Sequence, residues 1–283
     1  MAPGLTFGAR TWVMGVVNLT EDSFSGDGLV VGRRTVDEIV GAALAQARHF
    51  VEAGAEIVDV GAESSRPRNA YGDHPPVSEE DEAALAVPVV RAIVGELGDR
   101  VLVSIDTSKG SVARAALGAG AGIVNDVWAV RRDPGTASAA ADAGAHLVVM
   151  HNQEGDAYPA GLFDTVVASL AAAIEAAEGA GVAPDRIIVD PGIGFGKGTE
   201  GNLELLHRLG ELKAALGGRP LLAGTSRKRF LGELLGGAPP DDRLEGTAAT
   251  VALAIAGGAD IVRVHDVAEM ARVRTVADAI IRR

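Results

Sequence analysis

"GADIVRVHDV", residues 258–267, opens with glycine and alanine and runs into four apolar or β-branched positions broken by single charges. The opening recurs three times: "GAEIVDVG" from Gly54, "GAGIVNDV" from Gly120 and "GAHLVVMH" from Gly144. Each copy follows an alanine-rich stretch of helical periodicity. A glycine there suits the left-handed residue that ends a helix. The run that follows has the length and β-branching of a buried strand. The unit is therefore helix, Gly-Ala turn, strand.

Four further strands are expected at "WVMGVVN" (12–18), "VLVSIDT" (101–107), "RIIVDP" (186–191) and "PLLAGTS" (220–226). Thr35 with Glu38 has capping-box spacing ahead of one helix, and Ser78 with the acidic residues after it opens another, where negative charge favours the helix start. Pro88 is expected to kink or interrupt that second helix. Near-continuous apolar strands alternating with helices belong to a parallel sheet covered on both faces. Eight such units in 283 residues fit a single (β/α)8 TIM barrel over 1–283, with long loops after strands 1 and 2. An open doubly wound sheet is the alternative.

Composition narrows the function. The sequence has no cysteine, which removes thiol nucleophiles, thiolate metal sites and disulfides. A net charge of −12 argues against nucleic acid or an anionic membrane as partner. The first residues lack the apolar core of a signal peptide, and no apolar run is long enough to span a bilayer, so a cytoplasmic protein is expected.

Polar residues stand where the strands stop: Asn18, Glu63, Asp106, Asn125, His151, Asp190, Ser226 to Lys228, Arg263 and His265. In a barrel these ends share one face, and that face carries the active site. Taken singly, Asp106 and Asp190 also read as helix caps, Asn18 and Asn125 as turn formers, and Met150 as core. Arg66, Arg227, Lys228, Arg263 and His265 form a cationic rim suited to a phosphate or pyrophosphate. Asp106, Asn125, Asp190 and Lys228 suit the edge of a planar heterocycle with N–H and C=O groups.

"DPGIGFGK" (190–197) raises the question of a nucleotide loop. A P-loop needs glycine at 191 and Ser or Thr at 198, and these positions hold Pro191 and Gly198. Asp190 therefore carries more meaning than the glycines, and Lys197 reads as a solvated residue rather than a phosphate ligand.

With "MGVVNLTEDSFSGDG", "GAESSRP", "SIDT", "NDV", "GTSRKRFLG" and "RVHDV" added in this order, the chain resembles the dihydropteroate synthase family from about Val13 to Ile280. The resemblance implies a dimeric TIM barrel using Mg2+. The implied reaction joins para-aminobenzoate to 6-hydroxymethyl-7,8-dihydropterin diphosphate, releasing pyrophosphate. It further implies that Asp106, Asn125, Asp190 and Lys228 hold the pterin, and that Asn18 helps bind Mg2+. Arg263, His265, Ser65 and Arg66 would bind the diphosphate. Phe195 and Ser226 would lie near the arylamine, with Lys228 and Arg229 beside them, and Met150 would line the substrate site. The first loop departs from the family pattern at Glu21 and at Gly26-Asp27, and the second at Ala62 and Arg68. Two related readings are a methyltransferase barrel carrying a reduced folate and a non-catalytic pterin-binding paralogue. The basic residues of "SSRP", "SRKRF" and "RVHDV" argue against both, because only the synthase must expel a diphosphate. A Schiff-base aldolase using Lys228 fits the flanking arginines poorly.

Overall fold

The computed structural model describes residues 4–20, 29, 35–63 and 77–283. Eight parallel strands follow one another: β1 (Trp12–Asn18), β2 (Ile57–Gly61), β3 (Leu102–Asp106), β4 (Ile123–Asp126), β5 (His146–Met150), β6 (Ile187–Asp190), β7 (Leu222–Ala223) and β8 (Ile261–Val264). They pair in the order β6-β5-β4-β3-β2-β1-β8-β7. A parallel bridge between Val189 and Leu221 joins the two ends, with the Val189 N–H donating to the Pro220 carbonyl at 2.9 Å. The sheet is thus a TIM barrel rather than an open doubly wound sheet.

The described helices are α1 (Val36–Glu52), α2 (Glu79–Leu97), α3 (Gly110–Gly118), α4 (Gly135–Ala143), α5 (Leu162–Gly179), α6 (Thr199–His207), α7 (Leu209–Ala215), α8 (Arg229–Leu234), α9 (Leu244–Ala256) and α10 (Val267–Ile281). The repeat marks four of the helix-to-strand turns. Gly54, Gly120, Gly144 and Gly258 all have positive φ, between 60° and 106°, which glycine adopts without the steric cost of a Cβ. The Thr35–Glu38 capping box is formed, and the Ser78 side chain accepts the Asp81 N–H. Of the two outcomes expected at Pro88, a kink or an interruption, the interruption does not occur: α2 runs through it. The buried row Ala86, Val89, Val90 and Ile93 outweighs the hydrogen bond that proline forfeits, at a cost of about 3 kcal/mol.

Two apolar layers result. Outward strand residues pack under the helices, as Val13, Val17, Val58 and Val60 do. Inside the barrel, Trp12, Met14, Ile57, Leu102, Ile123, Val148, Ile188, Leu222 and Ile261 form a separate plug, with Leu5 and Phe7 against it. Side chains alternate along a strand. Counting on in twos from that plug gives Asn18, Asp59, Asp106, Asn125, Met150, Asp190, Arg263 and His265. The same inward face is therefore apolar at the strand starts and, Met150 apart, polar at the strand ends.

Candidate active site

The strand register brings these polar residues together. Asn18 pairs with Gly61, Gly61 with Asp106, Asp106 with Asn125, and Met150 with Asp190. A Cβ at Gly61 would stand 3.3 Å from the Asp106 Cβ, so the glycine leaves room for the acid.

Arg263 crosses the barrel floor. Its Nε donates to Asp59 Oδ2 at 2.7 Å and its Nη2 to Asp106 Oδ2 at 3.0 Å. The same Asp59 oxygen accepts from Asn125 Nδ2 at 3.0 Å. Asp59 is fully buried. It is the functional-site residue that the strand-end reading passes over, because it sits inside an apolar run. The signal for it was available: it shares the inward face with Ile57. The hydrogen bond to Asp59 fixes the Asn125 amide, since the reverse orientation would set two acceptor oxygens together. Burial pushes the Asp106 carboxyl well above the usual range, with Asp59 adding to the shift and Arg263 opposing it.

Asp190 lies at the end of β6, 5% exposed. Its Oδ1 accepts the Gly192 N–H at 2.7 Å, a local turn bond rather than the expected helix cap, since the next helix, α6, has Gly198 at its N-cap. Burial raises its pKa to about 6, against the lowering effects of Gly192, Lys228, Lys197 and Arg263. Lys228 Nζ sits 4.0 Å from the centroid of the Phe195 ring, within cation–π range.

The strand-end loops of β7 and β8 are tied to each other. Ser226 Oγ accepts the His265 backbone N–H at 3.2 Å and lies 3.0 Å from His265 Nδ1. Arg227 has φ 58°, an uncommon conformation for a residue with a Cβ. Its Nε donates to Asp266 Oδ2 at 3.0 Å and its N–H to Thr247 Oγ1 at 3.2 Å. Arg227 is thus engaged by Asp266 rather than standing as rim charge. Arg229 pairs with Glu233 at 3.0 Å on an exposed turn of α8, apart from the floor network. Glu63 takes an ion pair from Lys109 at 2.8 Å, and the same ammonium donates to the Val77 carbonyl at 2.8 Å. Lys197 is not solvated as expected: its Nζ meets His151 Nδ1 and the carbonyls of Gly192 and Phe195. Ser65 and Arg66 lie outside the described residues, as does most of the first loop. Among the described residues no group of three His, Cys, Asp or Glu side chains is placed to hold a metal ion, and no helix is long and apolar enough to cross a membrane.

Residues 14–265, which take in this acid- and amide-lined floor at the strand ends of the barrel, match the family model described as pterin binding enzyme. The dihydropteroate synthase of Bacillus subtilis is 42% identical over 98% of this chain and 91% of its own length. A solved dihydropteroate synthase from Clostridium difficile, in the presence of pteroic acid, matches with TM-score 0.88 and 40% identity over 99% of this chain and 100% of that one. The Xanthomonas albilineans enzyme in complex with 7,8-dihydropteroate matches with TM-score 0.80 and 37% identity over 96% and 93%. The chain belongs to the dihydropteroate synthase family.

Proposed function

We propose that the protein is a transferase that condenses 6-hydroxymethyl-7,8-dihydropterin diphosphate with para-aminobenzoate. The products are 7,8-dihydropteroate and pyrophosphate. The observation that carries this reading is the juxtaposition of two chemistries on one floor. Asp106, Asn125 and Asp190 offer acceptors deep in the barrel, and Arg263, Lys228 and His265 stand on β8 and on the loops after β7 and β8.

Each residue then has a task. Ionised Asp190 accepts from two adjacent N–H groups of the pterin's 2-amino-4-oxo edge. Asn125, its Nδ2 held by Asp59, turns its carbonyl oxygen to the ring. Asp106 and Lys228 take further polar positions on the heterocycle, and Phe195 offers a face to the flat substrates. The bond between the exocyclic methylene and the diphosphate oxygen breaks, and the electron pair leaves with pyrophosphate. The arylamine nitrogen then bonds to the methylene and loses a proton to solvent. Arg263, His265, Ser65 and Arg66 favour this step by stabilising charge that develops on the leaving oxygens.

Mg2+ fits as a companion of the diphosphate. Asn18, at the end of β1, offers a hard amide oxygen, and Mg2+ commonly takes few protein ligands beside substrate phosphates. Its chemistry there is neutralisation of the departing anion. A homodimer is supported by α9 and α10, which pack side by side and leave Leu253, Val276 and Ile280 more than 60% exposed.

The test is product identity. The protein with both substrates and Mg2+ should yield 7,8-dihydropteroate by mass spectrometry. Unchanged substrates at high enzyme concentration would reject the reading.

A further inference from the structure

Of the two charged members of "DPGIGFGK", Asp190 and Lys197, the reaction leaves Lys197 without a task. Its surroundings are specific. Nζ stands 2.8 Å from the Phe195 carbonyl, 2.9 Å from the Gly192 carbonyl and 2.9 Å from His151 Nδ1, with the His151 carbonyl at 3.4 Å. Burial lowers the Lys197 pKa to about 7, with Asp190 opposing the shift and Lys228 adding to it; below that value the ammonium has three N–H donors for three close acceptors. His151 can accept because burial, with Lys197 and Arg131 nearby, lowers its pKa to about 3 and keeps the ring neutral.

The Gly192 and Phe195 carbonyls belong to one tight turn. The Phe195 N–H donates to the Gly192 carbonyl at 3.1 Å, and Gly194 has φ 83°, as the third residue of a type II turn requires. The turn is pressed against its neighbours. A Cβ on Gly192 would fall 1.9 Å from the His151 carbonyl oxygen. From the other side the Tyr158 hydroxyl donates to the Gly196 carbonyl at 2.6 Å. The Gly192 N–H caps Asp190, and Phe195 lies against Lys228. Both ends of the turn therefore carry a ligand-facing group.

We propose that Lys197 is a positioning residue, whose ammonium clamps the Gly192–Phe195 turn to the end of β5 and so sets Asp190 and Phe195 toward the pterin. The inference rests on the pterin reading of the site. A lysine is suited to this in a way that a neutral side chain is not. Its charge favours the ionised form of Asp190, which Lys228 favours from the loop after β7 and Arg263 from β8. Geometry and charge then act together: the clamp holds the N–H that caps the carboxylate and helps keep that carboxylate ionised.

Two variants separate this from plain loop stability. Lys197→Met keeps the length and removes the charge and donors. Tyr158→Phe loosens the same loop and leaves the charge in place. Binding of a pterin lacking the diphosphate is measured by calorimetry from mildly acidic to mildly alkaline pH. Lys197→Met should weaken binding roughly tenfold, about one pH unit's worth of interaction, and shift the acid limb of the profile to higher pH. Tyr158→Phe should leave that midpoint in place. A Lys197→Met profile with the wild-type midpoint overturns the proposal. Nitrogen NMR of His151 gives a second readout that needs no ligand. Wild type should hold Nδ1 unprotonated, and Lys197→Met should shift the tautomer balance. If wild type binds no pterin, the site reading fails and this spectrum alone judges the clamp; identical spectra overturn it.

Discussion

Arg263 Nε and Asp59 Oδ2 stand 2.7 Å apart, although their strands β8 and β2 are separated in the barrel by β1. The pair therefore bridges over β1 on the inward face of the barrel. Its Asp59 end is fully buried and also holds Asn125. A buried ion pair contributes little net stability against an apolar replacement, yet breaking one side leaves an uncompensated charge.

Asp59→Ala should therefore cost about 3–5 kcal/mol. The double variant Asp59→Ala with Arg263→Ala should cost less than the two single changes added together. Chemical denaturation of the four proteins checks this. Additive losses would mean that the two side chains do not support each other.

Asp190 gives a pH dependence whose sign is fixed. Its folded pKa is raised from 3.8 to about 6, so between these values the folded protein binds more protons than the unfolded chain. Its contribution to stability thus falls as pH rises through this window, and the full penalty, on the order of 2–3 kcal/mol, stands above it. Asp190→Asn removes the charge and should raise the melting temperature by a few degrees at mildly alkaline pH. The gain should vanish near pH 4. The same variant should bind pterin roughly two to four orders of magnitude more weakly. A variant that melts lower at alkaline pH and still binds pterin would assign Asp190 a purely capping role.

His146 acts in the opposite direction. Burial, with Arg186 nearby, lowers its pKa to about 4, and its Nδ1 is buried without a hydrogen-bond partner. The unfolded chain binds the extra proton between the ordinary value of 6.5 and about 4. The neutral ring thus stabilises the fold fully above 6.5, and that stability is lost as pH falls through this window. His146→Leu should flatten the loss of stability on acidification. An unchanged slope in denaturation series across that range would place the acid sensitivity elsewhere.

His265→Ala should slow turnover by about 10²–10³ if the ring stabilises the leaving pyrophosphate, while binding of a pterin without the diphosphate stays near wild type. Steady-state kinetics and calorimetry check the two halves. A matching loss in both would place His265 on the pterin.

Much of this architecture is legible because it rests on local chemistry. Glycines with positive φ at Gly54, Gly120 and Gly258 end helices by their own conformational freedom, and alternation along each strand puts Asp106, Asn125 and Asp190 on the inward face. What escaped the reading depends on partners distant in sequence. Asp59 looks like an interruption of "IVDV" until Arg263, 204 residues away, is placed opposite it. Lys197 reads as solvated because two of its acceptors are backbone carbonyls and the third is His151, 46 residues earlier. The Arg229 pair with Glu233 at i,i+4, by contrast, follows from helical spacing alone.

The most direct test of the account is pyrophosphate release from the pterin diphosphate in the presence of Mg2+, followed with and without para-aminobenzoate. The account predicts release that rises with the arylamine and matches the dihydropteroate formed. Tight pterin binding with no arylamine-dependent release would contradict it and leave a barrel that binds pterin without performing the condensation.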